Sequence, residues 1–348
     1  PAFEDDAPLL PSALLADVPQ APAPPVWDPP ALARSEFDAR PGLVVAIDGA
    51  LPPLRSGERA PGGARLLELQ AACPFRAGAE LRLGARPLEE PALGLDAATR
   101  GVLVHDLFAA VWGEVRTSAQ MQELPPGERV ARVRAAIATG LAPLRRDANG
   151  VLARLLDIEA QWLERQALQL LDADLARPPF EVEHVETAYE LTLGGLSLDL
   201  RVDRVDRLAD GSCAVIDYKT GGNAQPRNWL DERPQLPQLP LYVEALGAQQ
   251  VSAVVFGRVR AGETGFAGLA RDPASFPGCK APPREYANWD ELLAAWHRRL
   301  ETLAREFATG EARLAPNPSQ ACRYCHLPSL CRIGEARMAG DDEGAGDE

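Results

Sequence analysis

Two aspartates and a lysine in the middle of the chain have a spacing that could serve hydrolysis. Asp217 and Lys219 are two residues apart in an apolar run, so a strand would point both side chains to one face. Asp203 lies in the preceding run, and the turn at Asp210-Gly211 brings the two runs side by side. Two carboxylates and a lysine suit a hard divalent cation, with the lysine orienting or polarising a water molecule. The pattern therefore predicts metal-dependent hydrolysis of a phosphodiester.

Lysine is rare in this chain, which gives Lys219 added weight. Lys219 and Lys280 are the only lysines among the 36 basic residues, and the other 34 are arginine. Arginine stays protonated in proteins, whereas lysine offers a compact and tunable ammonium. Neither lysine follows the glycines of a phosphate-binding loop, so a Walker-type ATPase site is excluded. The alternative is structural: a strand-end ion pair for Lys219, with Asp203 and Asp206 in a solvated turn.

The elements that must position these residues alternate between helical and strand patterns. Helical spacing of apolar residues predicts an amphipathic helix over 99–116, and the Ala- and Leu-rich segment 128–176 predicts two or three more. Alternating apolar residues on both sides of Gly194-Gly195 predict a hairpin. The remaining predicted elements are a strand over Cys213–Lys219, a helix over 235–247, a strand over 251–259 and, after a long loop, a helix over about 289–309. This order predicts an α/β core with a mixed sheet.

Composition limits the class of protein. The chain has 348 residues, enough for one large domain or two small ones, and a net charge of -14. No apolar run reaches the roughly 18 residues that would span a bilayer, so a membrane protein is excluded. The negative charge argues against nucleic acid, but residues 1–60 and 335–348 each carry a net charge of -5. The part between them is nearly neutral and permits a local basic groove.

Both ends of the chain differ in composition from its middle. Residues 1–60 contain 12 prolines and predict an extended linker, with one short strand at 43–47. The Gly- and acid-rich tail 335–348 is predicted to be disordered. The chain begins with Pro1 and has no secretion signal, so we expect a processed chain or a fragment located in the cytoplasm.

The central motifs resemble those of the PD-(D/E)XK nuclease superfamily in its RecB/AddB-type form. Asp203 and the triplet Asp217-Tyr218-Lys219 match the superfamily signature. Residues 101–105, Gly-Val-Leu-Val-His, resemble the G-x-x-x-H motif of the first core helix, and residues 238–242, Gln-Leu-Pro-Leu-Tyr, resemble the Q-x-x-x-Y motif after the catalytic strand. The resemblance covers about residues 64–334. It implies a restriction-endonuclease-like core within 61–334 and a helical insertion at about 120–178.

The resemblance also implies a role for each matching residue. Lys219 would position the attacking water and stabilise the charged transition state. Gln238 and Tyr242, four residues apart on one helix face, would orient the DNA strand. The ligands of Mg²⁺ or Mn²⁺ would be His105, Asp203 and Asp217. Taken alone, a histidine on an apolar helix is more often a core residue than a ligand, so the order and spacing of the motifs carry the resemblance.

Four cysteines resemble the iron–sulfur staple of AddB-type nucleases. Cys73 precedes the first predicted core helix, and the cluster Cys322-x2-Cys325-x5-Cys331 follows the last. The resemblance implies a 4Fe–4S cluster that joins the two ends of the domain. Four thiolates could equally bind zinc, and the spacing does not separate the two. A disulfide is a weaker interpretation because no secretion signal is present. We expect three further residues to be unligated: Cys213, Cys279 and His326.

The function that the resemblance implies is a metal-dependent DNA nuclease, an exonuclease acting on single strands or duplex ends in DNA repair. DNA would be its substrate, and a helicase subunit or an upstream helicase-like domain its partner. Two other classes stay open. One is a non-catalytic, cluster-stabilised DNA-binding module, which would not need His105, Asp203, Asp217 and Lys219 together. The other is a zinc-stapled scaffold without a role on DNA.

Overall fold

A computed structural model of the chain describes residues 3–4, 7–8, 49–55, 58–88, 94–146, 148–317 and 319–333. The chain divides into two compact units, Pro1–Ile47 and Asp48–Glu348. In the first unit, the described residues form a short antiparallel pair, Phe3–Glu4 with Ala7–Pro8. The strand predicted at 43–47 and the tail predicted at 335–348 lie outside the described residues.

The second unit begins earlier than the predicted boundary at residue 61. Backbone amides of Leu51 and Leu54 donate to the carbonyls of Gly310 and Ala308, at 2.7 and 2.9 Å. The amide of Ala60 donates to the carbonyl of Ser197 at 3.0 Å. The Pro-rich composition of 1–60 therefore extends into a segment that packs against the core of the second unit.

Within the described ranges, six strands form a mixed sheet, in agreement with the predicted α/β class. In spatial order they are β1 Phe180–Leu193, β2 Leu196–Leu208, β3 Cys213–Lys219, β4 Val251–Arg258, β5 Gly265–Ala270 and β6 Cys279–Lys280. The strands β1 to β3 form an antiparallel meander, and β4 runs parallel to β3. The β1–β2 hairpin turns at Gly194 and Gly195, whose φ angles of 55° and 87° favour glycine.

The last two strands correct the sequence analysis, which placed a long loop after the fourth strand. In β5 the sequence Gly-Phe-Ala-Gly-Leu-Ala pairs antiparallel with β4, and the two-residue β6 pairs parallel with β5. Glycine and alanine are poor strand formers, so this segment carries little local strand signal. Pairing with the buried neighbouring strand β4 outweighs that weak preference.

The helices predicted over 99–116, 128–176, 235–247 and 289–309 are present near those positions, whereas the helices at 64–72 and 118–123 were not predicted. The described helices are α1 Ala64–Ala72, α2 Ala97–Glu114, α3 Ser118–Glu123, α4 Pro126–Arg145, α5 Gly150–Leu175, α6 Gln238–Leu246 and α7 Trp289–Thr309, with short helices at Pro74–Ala77 and Pro328–Cys331. The helix predicted over 99–116 begins two residues earlier because Asp96 caps it, accepting from the Thr99 amide at 2.6 Å. None of the described helices is long and apolar enough to cross a membrane.

The sheet separates two apolar cores, and β3 contributes to both. Cys213 and Val215 belong to the core that also contains residues of α1, α6 and α7. Ala214, Ile216 and Tyr218 belong to the core that also contains residues of α2, α4 and α5. This alternation is the expected geometry of a strand buried on both sides. It leaves Asp217 and Tyr218 pointing to opposite faces of β3.

A cluster of buried charged side chains lies on the side of the sheet that α2 covers. Arg204 pairs with Asp174 at 2.8 Å and with Asp206 at 2.6 Å, and the exposed fraction of each of these side chains is 1% or less. The guanidinium of Arg204 also lies 4.2 Å from the ring centre of Trp112. Arg177 contacts the same two aspartates, so two positive charges balance two negative ones.

We expect the substitution Arg204→Leu to lower the free energy of unfolding by about 3–5 kcal/mol, because it leaves buried carboxylates short of partners. Urea unfolding at neutral pH measures this change. The control is Arg207→Leu, which removes an ion pair with Glu183 whose side chains are 44% and 31% exposed. That control should change stability by less than about 1 kcal/mol. Equal effects of the two substitutions would contradict a stabilising role for the buried cluster.

Candidate active site

The helix α2 brings His105 to β2 and β3. The flanking residues Val104 and Phe108 are buried in the core, so the ring of His105 is held at the sheet. Its Nδ1 lies 3.2 Å from Oδ2 of Asp203, and its Nε2 lies 2.9 Å from the carbonyl oxygen of Tyr218. The same Asp203 oxygen accepts from the Tyr218 amide at 2.9 Å. The structure therefore brings His105 and Asp203 together, as the motifs predict.

A second set of contacts links β3 to α6. The Lys219 ammonium lies 3.0 Å from Oδ1 and 2.9 Å from Oδ2 of Asp217, as the same-face spacing predicts. It also donates to Oε1 of Gln238 at 2.7 Å. The amide group of Gln238 in turn donates to the hydroxyl of Tyr242 at 2.5 Å. These contacts join four predicted residues in one continuous chain of polar groups.

The position of these linked polar groups depends on where α6 begins. The sequence analysis predicts a helix over 235–247, whereas α6 starts at Gln238, after Pro237 in the N-cap position. A proline disfavours helical backbone at the residue before it, so the two prolines at 234 and 237 delay the start. Pro240 lies in the first turn, where its missing N–H costs no internal hydrogen bond. Gln238 is consequently the first helical residue and faces Lys219.

Burial and charge shift the pKa of the central groups. Burial raises the pKa of Asp217 to about 6, although Lys219 opposes the change. Burial alone would lower the pKa of Lys219, but the Asp217 carboxylate outweighs it and the pKa is raised. Burial also disfavours the charged form of His105, yet contacts with Asp203 and Glu186 raise its pKa to about 10. A histidine must release its proton to bind a cation, so protons compete with metal at this ring.

The structure adds a carboxylate that the sequence analysis missed. Glu186 of β1 lies between two residues that pair with the flanks of Asp203, namely Val185 with Arg204 and Thr187 with Val202. The ligand atoms of His105, Glu186 and Asp203 lie within 4.8 Å of one another. Across the described ranges, this is the one such group of three or more His, Cys, Asp or Glu residues. The signal available in the sequence was the strand register, because a strand paired antiparallel with β2 must place one residue opposite Asp203.

The site opens into a pocket of about 470 Å³. Its walls include the site residues His105, Asp203, Gln238 and Tyr242, and the first turn of α1. Two arginines, Arg65 and Arg201, and two further acidic residues, Glu68 and Asp199, line the same pocket. The pocket can give an extended substrate access to His105 and Asp203.

The predicted cysteine ligands lie in two segments that run next to each other. Cys73 is buried directly after α1, and the three C-terminal cysteines at 322, 325 and 331 are partly exposed. The Asn317 amide donates to the carbonyl of Ala72 at 2.7 Å, and the Phe75 amide donates to that of Arg313 at 3.1 Å. The C-terminal segment is therefore tied to the backbone on both sides of Cys73. Among the described residues, the four sulfurs do not form a group within 4.8 Å.

The three residues expected to be unligated have ordinary surroundings. Cys213 is buried on β3, and burial raises the pKa of its thiol. Burial also raises the pKa of the Cys279 thiol on β6, to about 12. Nδ1 of His326 lies 3.8 Å from Oε1 of Glu80. A raised thiol pKa disfavours the thiolate that metal binding requires.

Comparison with known proteins agrees with the site. A sequence model of the PD-(D/E)XK nuclease superfamily matches residues 64–332. A segment of 96 residues is 36% identical to an ATP-dependent helicase/deoxyribonuclease subunit of Streptococcus mutans serotype c and covers 24% of this chain. The chain spans only 8% of that relative's length. This similarity supports the predicted RecB/AddB-type resemblance.

A solved structure also aligns with the chain. The match to the crystal structure of SSO0001 covers 77% of this chain and 95% of the SSO0001 chain, with 12% sequence identity. Its TM-score of 0.26 is too low to indicate a shared fold. The superfamily match is the firmer finding, because it covers most of the chain and contains every residue of the site described above. The chain belongs to the PD-(D/E)XK nuclease superfamily.

Proposed function

We propose that this chain is a divalent-metal-dependent DNA nuclease, an exonuclease that acts on single strands or duplex ends during DNA repair. One observation supports the proposal: His105 and Asp203 contact the backbone of Tyr218, between Asp217 and Lys219. Lys219 in turn contacts Asp217 and Gln238, and Gln238 bonds to Tyr242. A protein that only bound DNA would not need a buried carboxylate held against a lysine. Superfamily membership supports the same chemistry.

The residues at the site fit a hard divalent cation. Carboxylate oxygens are the preferred ligands of Mg²⁺, and Mn²⁺ accepts both carboxylate and imidazole. Oδ2 of Asp217 is buried and makes no hydrogen bond within the described part of the chain, although it lies 2.9 Å from the Lys219 nitrogen. A buried carboxylate oxygen without a hydrogen bond is costly, and a bound cation would satisfy it. We propose that His105, Asp203 and Asp217 hold Mg²⁺ or Mn²⁺.

When bound, the cation would neutralise phosphate charge and lower the pKa of a water molecule. The protein's own groups would orient the attacking water. Lys219 uses two of its three N–H donors on Asp217 and Gln238, and one remains for a water or a phosphate oxygen. Tyr242 fixes the amide of Gln238, which holds the ammonium in place. We propose that Lys219 positions the attacking water and stabilises the negative charge that develops on phosphate.

The choice of DNA and of a partner rests on similarity. The relative from Streptococcus mutans is named as part of a helicase/deoxyribonuclease, and the resemblance of the motifs implies the same substrate. Contacts to phosphate carry no base information, so we propose cleavage without sequence preference. A helicase subunit or a helicase-like domain would supply the single strands or duplex ends.

We expect Lys219→Ala to reduce Mg²⁺- or Mn²⁺-dependent degradation of end-labelled DNA by at least about 100-fold, because it removes the stabilising ammonium. Gel analysis of labelled single- and double-stranded DNA measures the loss and gives the direction of digestion. The matched control is Lys280→Ala at the other lysine of the chain, which is exposed on β6. Wild-type rates from the Lys219 variant would contradict its catalytic role.

We also propose that a 4Fe–4S cluster joins the ends of the nuclease domain. Its ligands would be the four cysteines that the family motif matches: Cys73, Cys322, Cys325 and Cys331. The hydrogen bonds from Asn317 to Ala72 and from Phe75 to Arg313 support this proposal, because they hold the two cysteine-bearing segments side by side. Zinc bound to the same thiolates is the alternative.

We expect the protein purified without oxygen to be brown, with the visible absorption of an iron–sulfur cluster. Cys325→Ala should remove that absorption and lower the melting temperature, because a ligand that joins both ends of the domain is lost. Cys213→Ala is the control, since that cysteine is buried on β3 away from the family motif. A colourless protein that contains stoichiometric zinc would contradict the iron–sulfur proposal.

A further inference from the structure

We propose that Glu186 supplies a further carboxylate to the metal centre and binds the cation together with His105 and Asp203. The inference rests on the proposed function, because it extends the same metal centre. It concerns a residue that none of the sequence motifs contains.

The first observation is the backbone of Glu186. Its φ angle is 48°, and within the described residues Arg332 is the only other non-glycine residue with a positive φ. The left-handed region is unfavourable for a residue with a Cβ, and it is unusual inside a strand. The neighbours Val185 and Thr187 nevertheless keep their pairing with β2. Strained backbone of this kind persists where the surrounding structure holds it, and it is enriched at functional sites.

The second observation is where the strain places the carboxylate. The side chain of Glu186 is 19% exposed and lines the same pocket as His105 and Asp203. Its Oε1 lies 3.7 Å from Nδ1 of His105. The ligand atoms of Glu186, His105 and Asp203 all lie within 4.8 Å of one another. A single cation can therefore be reached from α2, β1 and β2.

The contacts of Glu186 within the protein do not explain the strain. Its Oε2 lies 2.7 Å from Nε of Arg201, but the Arg201 side chain is 70% exposed, and such ion pairs add little stability. The distance to His105 is too long for a hydrogen bond. A bound cation would instead give the half-buried carboxylate a strong partner.

The charge of the site agrees with this assignment. Glu186, Asp203 and Asp217 carry three negative charges, and Lys219 carries one positive charge. The exposed fractions of these four side chains are between 0% and 26%. His105 is neutral when it binds a metal, so the four groups leave two negative charges. One divalent cation balances these four groups; Arg65, Glu68 and Arg201 also line the pocket and lie outside this count.

The test is direct binding of Mn²⁺ to the purified chain, measured by isothermal titration calorimetry without DNA. We expect Glu186→Gln to weaken Mn²⁺ affinity by about 10- to 100-fold, the range seen when residues that support a metal are removed. The matched control is Glu190→Gln, four residues along the same strand, where Glu190 is 77% exposed and pairs with Arg59. That variant should bind Mn²⁺ like the wild type.

A second variant separates metal binding from a structural role. Glycine tolerates a φ of 48°, so Glu186→Gly should keep or raise the melting temperature without metal while it loses Mn²⁺ affinity. A lower melting temperature for this variant, or unchanged affinity in Glu186→Gln, would overturn the inference and leave the proposed nuclease intact. A wild-type chain that binds no Mn²⁺ would instead contradict the proposed metal centre itself.

Discussion

The peptide backbone of Tyr218 is the element on which the site depends. Its amide donates to Asp203 and its carbonyl contacts His105, so one residue of β3 fixes two predicted ligands from β2 and α2. The ring of Tyr218 points to the other face of the sheet, stacks on Phe108 at 4.4 Å, and its hydroxyl accepts from Arg204 at 3.2 Å. The packing of that core is thereby coupled to the geometry of the site.

Electrostatics imposes a second constraint on the same strand. Asp217 is fully buried, and a buried carboxylate is costly unless cations or hydrogen bonds compensate it. Lys219 provides part of this compensation, and its own position is fixed by Gln238 at the start of α6. On the other face, Arg204 and the aspartates at 174 and 206 form a separate balanced cluster. Charges on the two faces of β3 are thus compensated by separate sets of partners.

The sequence was informative where local pattern and motif agreed. The hairpin at Gly194-Gly195, the strand Cys213–Lys219 and the helix Trp289–Thr309 have strong periodicity or turn signals, and the structure has them at the predicted positions. The strand β5 was missed because its Gly- and Ala-rich sequence has no local strand signal, and its pairing with β4 is a tertiary effect. Glu186 was missed because an acidic residue in a partly exposed strand usually faces solvent, and its position opposite Asp203 depends on strand register.

The central claim is that this site hydrolyses DNA through its carboxylates. The most direct measurement is degradation of end-labelled single- and double-stranded DNA with Mg²⁺ or Mn²⁺, comparing the wild type with Asp217→Asn. The account predicts that the wild type degrades DNA and that the variant, folded but without the buried carboxylate, does not. A wild-type protein that binds DNA and Mn²⁺ yet leaves the DNA intact, or a variant of equal activity, would contradict it.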